Sequence, residues 1–438
     1  METDKTTLAD LSIFSGEEEY SVFNKLNLTR TVIGSEQLSL NFTHALQSLD
    51  EIRGVQDTIK FISKNIPYWP VQINNGTVMV IQRFYETSID TIPARPGPLA
   101  TYNYKIFHSS DFSLVKYSTG HCFEFIKGMQ VMIEKFQKED TPAPLTKILR
   151  EAVHIMEKEQ LNIIIKNKSA NELDSRQMLQ LAHFLRYHYK VNLFDLLDIY
   201  AQLDAWYSMA MATKEFNFVF PEFTDAATPL VDCDGLFHVL LQEPVAYDIR
   251  LDQQCNFLFL TGANMAGKST FIKSMGIAVF LAHTGMGVPA KAMRLSFFDG
   301  LLSNINVVDN VIKGESYFYN EVQRIKTTVT RINNNKRWLI LIDELFKGTN
   351  VQDAMKCSSV VIEGLLKITN SLFILSTHLY EIGEALKKHP NINFKYFETS
   401  ANNDQLEFSY QLKEGISNDR IGYLILKKEG VVDLLERL

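Results

Sequence analysis

The sequence has few cysteines, no long apolar run and no excess of positive charge. Its 4 cysteines are scattered among 438 residues without a C-x-x-C pair, which disfavours a disulfide framework and a zinc site and is typical of reduced thiols in a cytoplasmic protein. The apolar run at 276–288 is too short to span a bilayer, and the first eleven residues have no signal-peptide pattern. We therefore expect a cytoplasmic protein without a membrane partner.

The charge balance is acidic, with 44 Lys and Arg against 51 Asp and Glu, a net charge of −7 and a pI of about 5.9. Proteins that bind nucleic acid without specificity are usually basic, because neutralisation of phosphates dominates their affinity. The composition therefore disfavours strong, indiscriminate DNA binding, although it is compatible with a local basic patch. The length predicts about two or three domains.

The first 230 residues are predicted to be mainly helical. Apolar residues recur at spacings of three and four along 40–62 and 175–213, without internal proline. Between them, residues 76–107 have β-branched and aromatic residues followed by a Pro/Gly cluster, which indicates a strand and a loop.

After residue 230 the pattern changes to short apolar runs that alternate with helical segments. The runs at 256–260, 337–342 and 370–376 predict buried parallel strands, and those at 392–399 and 406–413 predict a hairpin. We therefore predict a mainly α-helical domain over 1–230 and an α/β domain over 231–438.

A phosphate-binding loop follows the first of these strands. The stretch TGANMAGKST (261–270) contains G-x-x-x-x-G-K-S between a strand and a helix, where backbone N–H groups and the helix N-terminus favour phosphate. Lys268 is expected to reach the β- and γ-phosphates of ATP, and the Ser269 hydroxyl to bind Mg²⁺. The predicted nucleotide-binding residues are Gly262, Asn264, Met265, Ala266, Gly267, Lys268, Ser269 and Thr270.

Two acidic residues end the strand at 337–342. Asp343 is suited to a Mg²⁺ contact, and Glu344 is suited to a general base that polarises water against the γ-phosphate. The alternative is a helix N-terminus that carries acids for stability alone. Two carboxylates at this position favour hydrolysis of ATP over binding alone.

Two further polar residues are candidates. His378 ends the strand at 370–376 and can sense a γ-phosphate, with a purely structural histidine as the alternative. Ser316, close to Gly314, can present a hydroxyl to phosphate in its own subunit or across a dimer; the alternative is a helix cap.

These motifs together resemble the MutS family of DNA mismatch-repair ATPases, which are related to ABC-type ATPases. TGANMAGKST resembles the family's T-G-P-N-M-x-G-K-S-T, and its Asn264–Met265 pair is the most specific element. The further matches are LIDELFKGTNVQD, STHLYEI, GESYFYNE with Glu321, and a closing segment with Gly415 and Gly422. DKTTLADL, near residue 1, is similar to the start of the family's helical core.

The resemblance implies an ABC-type ATPase domain preceded by a helical core and lever region. It further implies ATP and Mg²⁺ as cofactors, a homodimer with composite ATP sites, and Ser316 acting in trans on the partner subunit's nucleotide. Because the part similar to the helical core begins near residue 1, we expect this sequence to have no counterpart of the family's mismatch-reading and connector domains. We therefore expect coupling to mismatched, branched or otherwise distorted DNA.

The sequence departs from the family pattern at several positions. Ala263 and Ala266 stand in the phosphate loop where proline and glycine are common, and Leu345-Phe346-Lys347 replaces a usual glycine and arginine. The family's mismatch reader uses F-x-E, and Phe84-Tyr85-Glu86 has these letters. Since it follows the start of the helical core, we interpret Phe84 as a core residue.

Two other classes of protein are alternatives. An ATP-driven module that assembles with a protein partner and binds no DNA is favoured by the acidic charge. A transporter-type ABC ATPase is disfavoured because an L-S-G-G-Q sequence is absent, with KGESYF near its place.

Overall fold

The computed structural model describes residues 1–306, 316–402, 405–417, 426–427 and 430–436. Gly314 and Gly422 lie outside these described residues. The first half of the chain forms the helices α1 (Lys5–Asp10), α2 (Val22–Leu26), α3 (Val32–Thr43), α4 (Leu49–Asn65), α5 (Asn75–Glu86), α6 (Pro98–Phe107), α7 (Ser109–Phe136), α8 (Ala143–Met156), α9 (Asn162–Lys166), α10 (Ser175–His188) and α11 (Lys190–Glu215).

The second half alternates strands and helices. The strands are β1 (Glu222–Thr224), β2 (Leu230–Leu236), β3 (Tyr247–Asp252), β4 (Phe257–Thr261), β5 (Ala292–Ser296), β6 (Gly300–Asn304), β7 (Trp338–Asp343), β8 (Leu372–Ser376), β9 (Ile392–Asn402) and β10 (Gln405–Glu414). The helices are α12 (Lys268–His283), α13 (Tyr317–Ile332), α14 (Val351–Leu365), α15 (Tyr380–Leu386) and α16 (Val431–Glu436).

The chain divides into two compact units. A sheet-containing unit comprises Met1–Lys25, Ala45–Ile52 and Glu215–Leu438, and a helical unit comprises Leu26–His44 and Arg53–Lys214. This division differs from the predicted boundary between residues 230 and 231. The reason lies in two strand pairings. Glu2 pairs in parallel with Gly300 at β6, and β1 pairs with β5, so residues that precede and residues that follow the helical unit along the chain belong to the sheets.

The sheet-containing unit has a six-stranded sheet in the order β10-β9-β4-β8-β7-β6. The predicted strands are confirmed as β4, β7 and β8, which are parallel and buried at every residue, and the predicted hairpin is confirmed as β9 and β10. Continuous apolar runs fit such strands because both faces of the sheet are covered. The second sheet has the order β1-β5-β2-β3.

Helix α12 covers one face of the six-stranded sheet at very short range. A Cβ atom added at Gly276 would lie 2.5 Å from Leu11 Cδ2 and 2.6 Å from Leu341 Cδ1 on β7. Only glycine permits this approach. The N-terminus of α12 follows the loop after β4 and lies beside the carboxyl end of β7, where Ser269 contacts Asp343.

In the helical unit, the prediction of a strand within 76–107 is wrong. The Asn74 side chain accepts a hydrogen bond from Thr77 N at 3.2 Å and starts α5, which buries Val78, Ile81 and Phe84 along one face. The three-residue spacing of these buried apolar residues and the cap favour a helix more strongly than the β-branched composition favours a strand. The Phe84 ring is 1% exposed, as expected for a core residue, and the Tyr85 hydroxyl donates to Leu185 O at 2.8 Å.

The predicted helices at 40–62 and 175–213 are present but interrupted. The first is broken between α3 and α4 at 44–48, and the second is broken at Tyr189 between α10 and α11. Tyr189 is buried and its hydroxyl donates to Ile155 O at 2.9 Å. No helix within the described ranges has the length and apolar character needed to cross a bilayer.

Candidate active site

The phosphate loop connects β4 to α12 through a backbone that requires glycine. Gly262 has φ +135° and Gly267, the N-cap of α12, has φ +107°. Side chains are strongly disfavoured in these conformations. A Cβ at Gly262 would also lie 3.2 Å from the Phe397 carbonyl oxygen on β9. The loop therefore lies directly against the neighbouring strand, with the N-terminus of α12 at its end.

Lys268 begins α12 and turns its side chain back under the loop. Its Nζ donates to Gly262 O at 2.7 Å and to Ala263 O at 2.9 Å, and the residue is 5% exposed. Burial lowers the pKa of this ammonium group, and the nearby Glu344 and Asp343 carboxylates oppose that shift. Neutral carbonyls only partly offset the cost of burying the charge, so an anion at the loop is a stronger partner.

The Asp343 carboxylate at the end of β7 is held by two hydroxyl groups. Ser269 Oγ donates to Oδ2 and Ser376 Oγ donates to Oδ1. Asp343 pairs directly with Ser376 in the parallel register of β7 and β8, and it is 7% exposed. The structure thus brings together Ser269 and Asp343, the two predicted Mg²⁺ ligands.

Sequence reasoning missed Ser376. The available signal was its position as the last residue of a buried strand, immediately before Thr377 and His378. Polar residues at the carboxyl ends of neighbouring parallel strands meet at one edge of the sheet.

Glu344 follows Asp343 in a strained backbone conformation. Its φ is +63°, and its N–H donates to Ser376 O at 3.0 Å. A non-glycine residue in this region costs about 1–3 kcal/mol, so the surrounding contacts hold it there. Its Oε2 lies 3.3 Å from Lys347 Nζ and 3.7 Å from His378 Nδ1.

These neighbours keep the Glu344 carboxyl ionised. Burial alone raises its pKa, but the His378 ring and the ammonium groups of Lys347 and Lys268 outweigh burial and lower the pKa to about 2. His378 lies beside Glu344 with its side chain about half exposed, at 52%. The structure therefore brings both predicted catalytic residues together.

The departure at Leu345-Phe346-Lys347 has a clear structural outcome. Leu345 and Phe346 are buried in the core, with Phe346 at φ +60°, whereas Lys347 pairs with Glu344 and faces the loop. The loop that begins with Glu344, the predicted base, therefore also supplies the Lys347 ammonium group beside it.

Ser316 caps helix α13. Its Oγ accepts a hydrogen bond from Tyr319 N at 3.3 Å, and the residue is exposed. One turn later, Glu321 is 4% exposed, and its carboxylate accepts hydrogen bonds from Lys347 N at 2.9 Å and Gly348 N at 3.1 Å. This acid of the GESYFYNE segment therefore holds the loop that follows Glu344.

A cavity of about 730 Å³ opens over the phosphate loop. It is lined by Leu241, Glu243, Val245, Tyr247, Ala263, Asn264, Met265, Gly267, Lys268, Ser269, Thr270, Glu344, Lys347 and Tyr410. Six of the predicted nucleotide-binding residues line it, whereas Gly262 and Ala266 are buried and are not part of the lining. Ser316 is not among the described residues that line this cavity.

One wall of the cavity is apolar and was not predicted from the sequence. Leu241, Val245, Tyr247 and Tyr410 come from the segment leading into β3 and from β10. Tyr410 has φ +52° and lies within a register shift of the hairpin. Its ring lies beside Gly267, since Tyr410 Cδ1 would be 3.4 Å from a Cβ atom added there. An aromatic and aliphatic wall beside a cationic phosphate loop suits a planar base attached to phosphates.

Residues 258–434 match the family model described as MutS domain V. The chain is 28% identical over 244 residues to the DNA mismatch repair protein MutS of Lactococcus lactis subsp. cremoris (strain SK11), covering 54% of this chain and 29% of that protein. It is 31% identical over 242 residues to the DNA mismatch repair protein MutS of Leuconostoc mesenteroides subsp. mesenteroides, covering 54% and 28%.

A human protein has a similar level of sequence identity to this chain. The chain is 30% identical over 238 residues to MutS protein homolog 4 of Homo sapiens, covering 52% of this chain and 25% of that protein. It thus spans less than a third of the length of these curated relatives. The part that matches MutS domain V contains the phosphate loop and the strand-end residues described above, and about half of the chain is similar to named MutS proteins.

Proposed function

We propose that this protein is a Mg²⁺-dependent ATPase of the MutS type. It binds and hydrolyses ATP at composite sites shared by two subunits, and the cycle changes its hold on mismatched, branched or otherwise distorted DNA. The observation that carries this proposal is the placement of ionised Glu344 on the wall of the cavity that contains the phosphate loop. A site for binding alone has no need of a strained carboxylate at this position.

The residues present suit a magnesium ion. Mg²⁺ prefers hard oxygen ligands, and the Ser269 hydroxyl and the Asp343 carboxylate are in direct contact at the base of the loop. When bound, Mg²⁺ neutralises charge on the β- and γ-phosphates of ATP. Ser269 and Asp343 would hold the ion, and Ser376 would orient the carboxylate from behind.

Lys268 and Glu344 have separate roles, one towards the phosphates and one towards the attacking water. Lys268 supplies a buried positive charge for the phosphates, in exchange for its contacts with Gly262 O and Ala263 O. Glu344 lines the cavity with an ionised carboxylate, and its proposed role is to accept a hydrogen bond from the attacking water, which orients and polarises that water. His378 and Lys347 fix the carboxylate in position.

A second subunit is proposed to complete the site. Ser316 is exposed at the N-terminus of α13 and is not among the described residues that line the cavity of its own subunit. A hydroxyl group at an exposed helix N-terminus is suited to contact the γ-phosphate held by a partner subunit. We therefore propose a homodimer, because a closed two-fold dimer would provide two such sites.

Coupling to DNA is supported by the family alone. The net charge of −7 favours the alternative, in which the ATP cycle controls assembly with a protein partner and no DNA is bound. Both alternatives use the same hydrolytic site, so one experiment distinguishes them.

The test is steady-state ATP hydrolysis by the wild type, Glu344→Gln and Glu243→Gln, each without DNA and with homoduplex, mismatched and four-way-junction DNA. Glu243 lines the same cavity but does not end a strand, so it is the matched control. We expect Glu344→Gln to lose roughly 10²- to 10⁴-fold in rate and to retain ATP binding, and Glu243→Gln to stay close to wild type.

The outcomes separate the proposals. A rate that changes with one DNA form supports DNA coupling and names the preferred form. Hydrolysis that is indifferent to every DNA, with no DNA retained, overturns that coupling in favour of a protein partner. Absence of hydrolysis in the wild type overturns the ATPase itself.

A further inference from the structure

The first ten residues dock on the end of β6. Ser303 N donates to Thr7 Oγ1 at 3.0 Å, and the Asp10 carboxylate accepts from Ser303 Oγ at 2.6 Å, Ile305 N at 3.0 Å and Asn306 N at 3.1 Å. Asp10 is 2% exposed. A buried carboxylate with three donors is fixed firmly in place. Helix α1 therefore holds the backbone at the point where β6 ends.

The same segment also reaches helix α13. Arg324 NH1 lies 3.1 Å from Asp4 Oδ2, and both side chains are mostly buried, at 19% and 16% exposure. Arg324 Nε donates to Asn304 Oδ1 at 2.7 Å, and NH2 donates to Ser303 O at 2.6 Å. The guanidinium group thus joins α1, β6 and α13 through its fixed fork of donors.

Helix α13 carries two groups that belong to the candidate site. Ser316 caps its first turn, and Glu321, one turn before Arg324, binds the N–H groups of Lys347 and Gly348. The position of α13 therefore determines both the exposed hydroxyl and the loop after Glu344. A shift of α13 would therefore displace both groups together, because closely packed side chains transmit strain.

We infer that Asp4 is a positioning residue for ATP hydrolysis, acting through Arg324 on α13. By fixing this helix, Asp4 sets the place of Ser316 at its N-terminus and of the Glu344 loop beside Glu321, without touching the nucleotide. The inference rests on the proposed ATPase function and deepens it. It assigns control of the hydrolytic step to a segment that is 320 residues from Arg324 in the chain.

The test uses Asp4→Asn in the full chain, with Glu2→Gln as the control. Asparagine caps a helix as well as aspartate does, so α1 keeps its bond from Thr7 N while the charge facing Arg324 is lost. Glu2 lies in the same segment and pairs with Lys336 at 2.5 Å in an exposed ion pair, so its loss is expected to change little.

We expect Asp4→Asn to lower kcat about tenfold with KM for ATP unchanged, because small displacements of catalytic groups are costly while the phosphate loop is untouched. Hydrogen exchange at the amides of Lys347 and Gly348 should become faster in Asp4→Asn and stay unchanged in Glu2→Gln. Arg324→Lys, which keeps the charge but loses the fork, should show the same pattern and serves if Asp4→Asn fails to fold.

The inference is overturned if Asp4→Asn matches Glu2→Gln in kcat and in exchange, or if KM rises while kcat is unchanged. If the wild type does not hydrolyse ATP, the proposed function fails, and exchange at Lys347 and Gly348 still decides whether Asp4 holds the loop.

Discussion

At the scale of single residues, the site depends on contacts between its own members. Asp343 has each carboxylate oxygen bound by a hydroxyl, one from Ser269 and one from Ser376. Glu344 is placed by an unusual backbone angle and by two basic neighbours. Residues behind the predicted ligands therefore determine how accurately the ligands are placed.

Replacing Ser376 with alanine should weaken the response to magnesium. Without its hydrogen bond, Asp343 is less well oriented, and we expect the Mg²⁺ concentration for half-maximal ATPase activity to rise about 10- to 100-fold. A Mg²⁺ titration of the ATPase rate measures this. Ser371→Ala is the control, because this buried serine flanks the opposite end of β8 and binds Trp338 N. Equal shifts in the two variants would contradict a specific role for Ser376.

At the scale of elements, long apolar runs were good predictors and mixed compositions were not. β4, β7 and β8 are continuous apolar runs buried on both faces, so their sequences alone indicated them. Helix α5 was missed because β-branched and aromatic residues suit both a strand and the buried face of a helix. The deciding feature was the cap at Asn74, a local contact that composition does not express.

Helix α13 packs so closely on the loop after Glu344 that only glycine fits at residue 348. An added Cβ would lie 2.7 Å from Phe318 N and 2.8 Å from Tyr317 Cδ1. Gly348→Ala should therefore lower the free energy of unfolding by about 1–3 kcal/mol and reduce ATP hydrolysis. Gly364→Ala on α14 is the control, since nothing lies within 4 Å of its added Cβ and we expect a gain of about 0.4–1 kcal/mol.

Urea denaturation of both glycine variants measures the difference. If Gly348→Ala proved as stable as Gly364→Ala, the close contact between α13 and the loop would not exist in solution.

At the scale of the whole molecule, the proposed site is composite, and a mixture of variants tests this directly. In a heterodimer of Lys268→Ala and Ser316→Ala, one site has both groups intact and the other has neither. Mixing these two impaired variants should restore about a quarter of wild-type ATP hydrolysis, since half of the dimers are mixed and each has one complete site.

Mixing Lys268→Ala with Glu344→Gln is the matched control. Both residues line the cavity of the same subunit, so no mixed dimer contains a complete site and no recovery is expected. Equal recovery in the two mixtures, or a fully active Ser316→Ala variant, would contradict action of Ser316 in trans.

The sequence by itself determined those features that neighbouring residues produce together. The phosphate loop is one continuous strand–loop–helix segment with Gly262 and Gly267 at positive φ, and Asp343 and Glu344 simply end a buried strand. Only the tertiary structure decided which distant residues support them. Ser376 meets Asp343 through strand register, and Asp4 meets Arg324 across 320 residues of chain. Such pairs arise from packing of whole elements, and a single sequence contains no local pattern that indicates them.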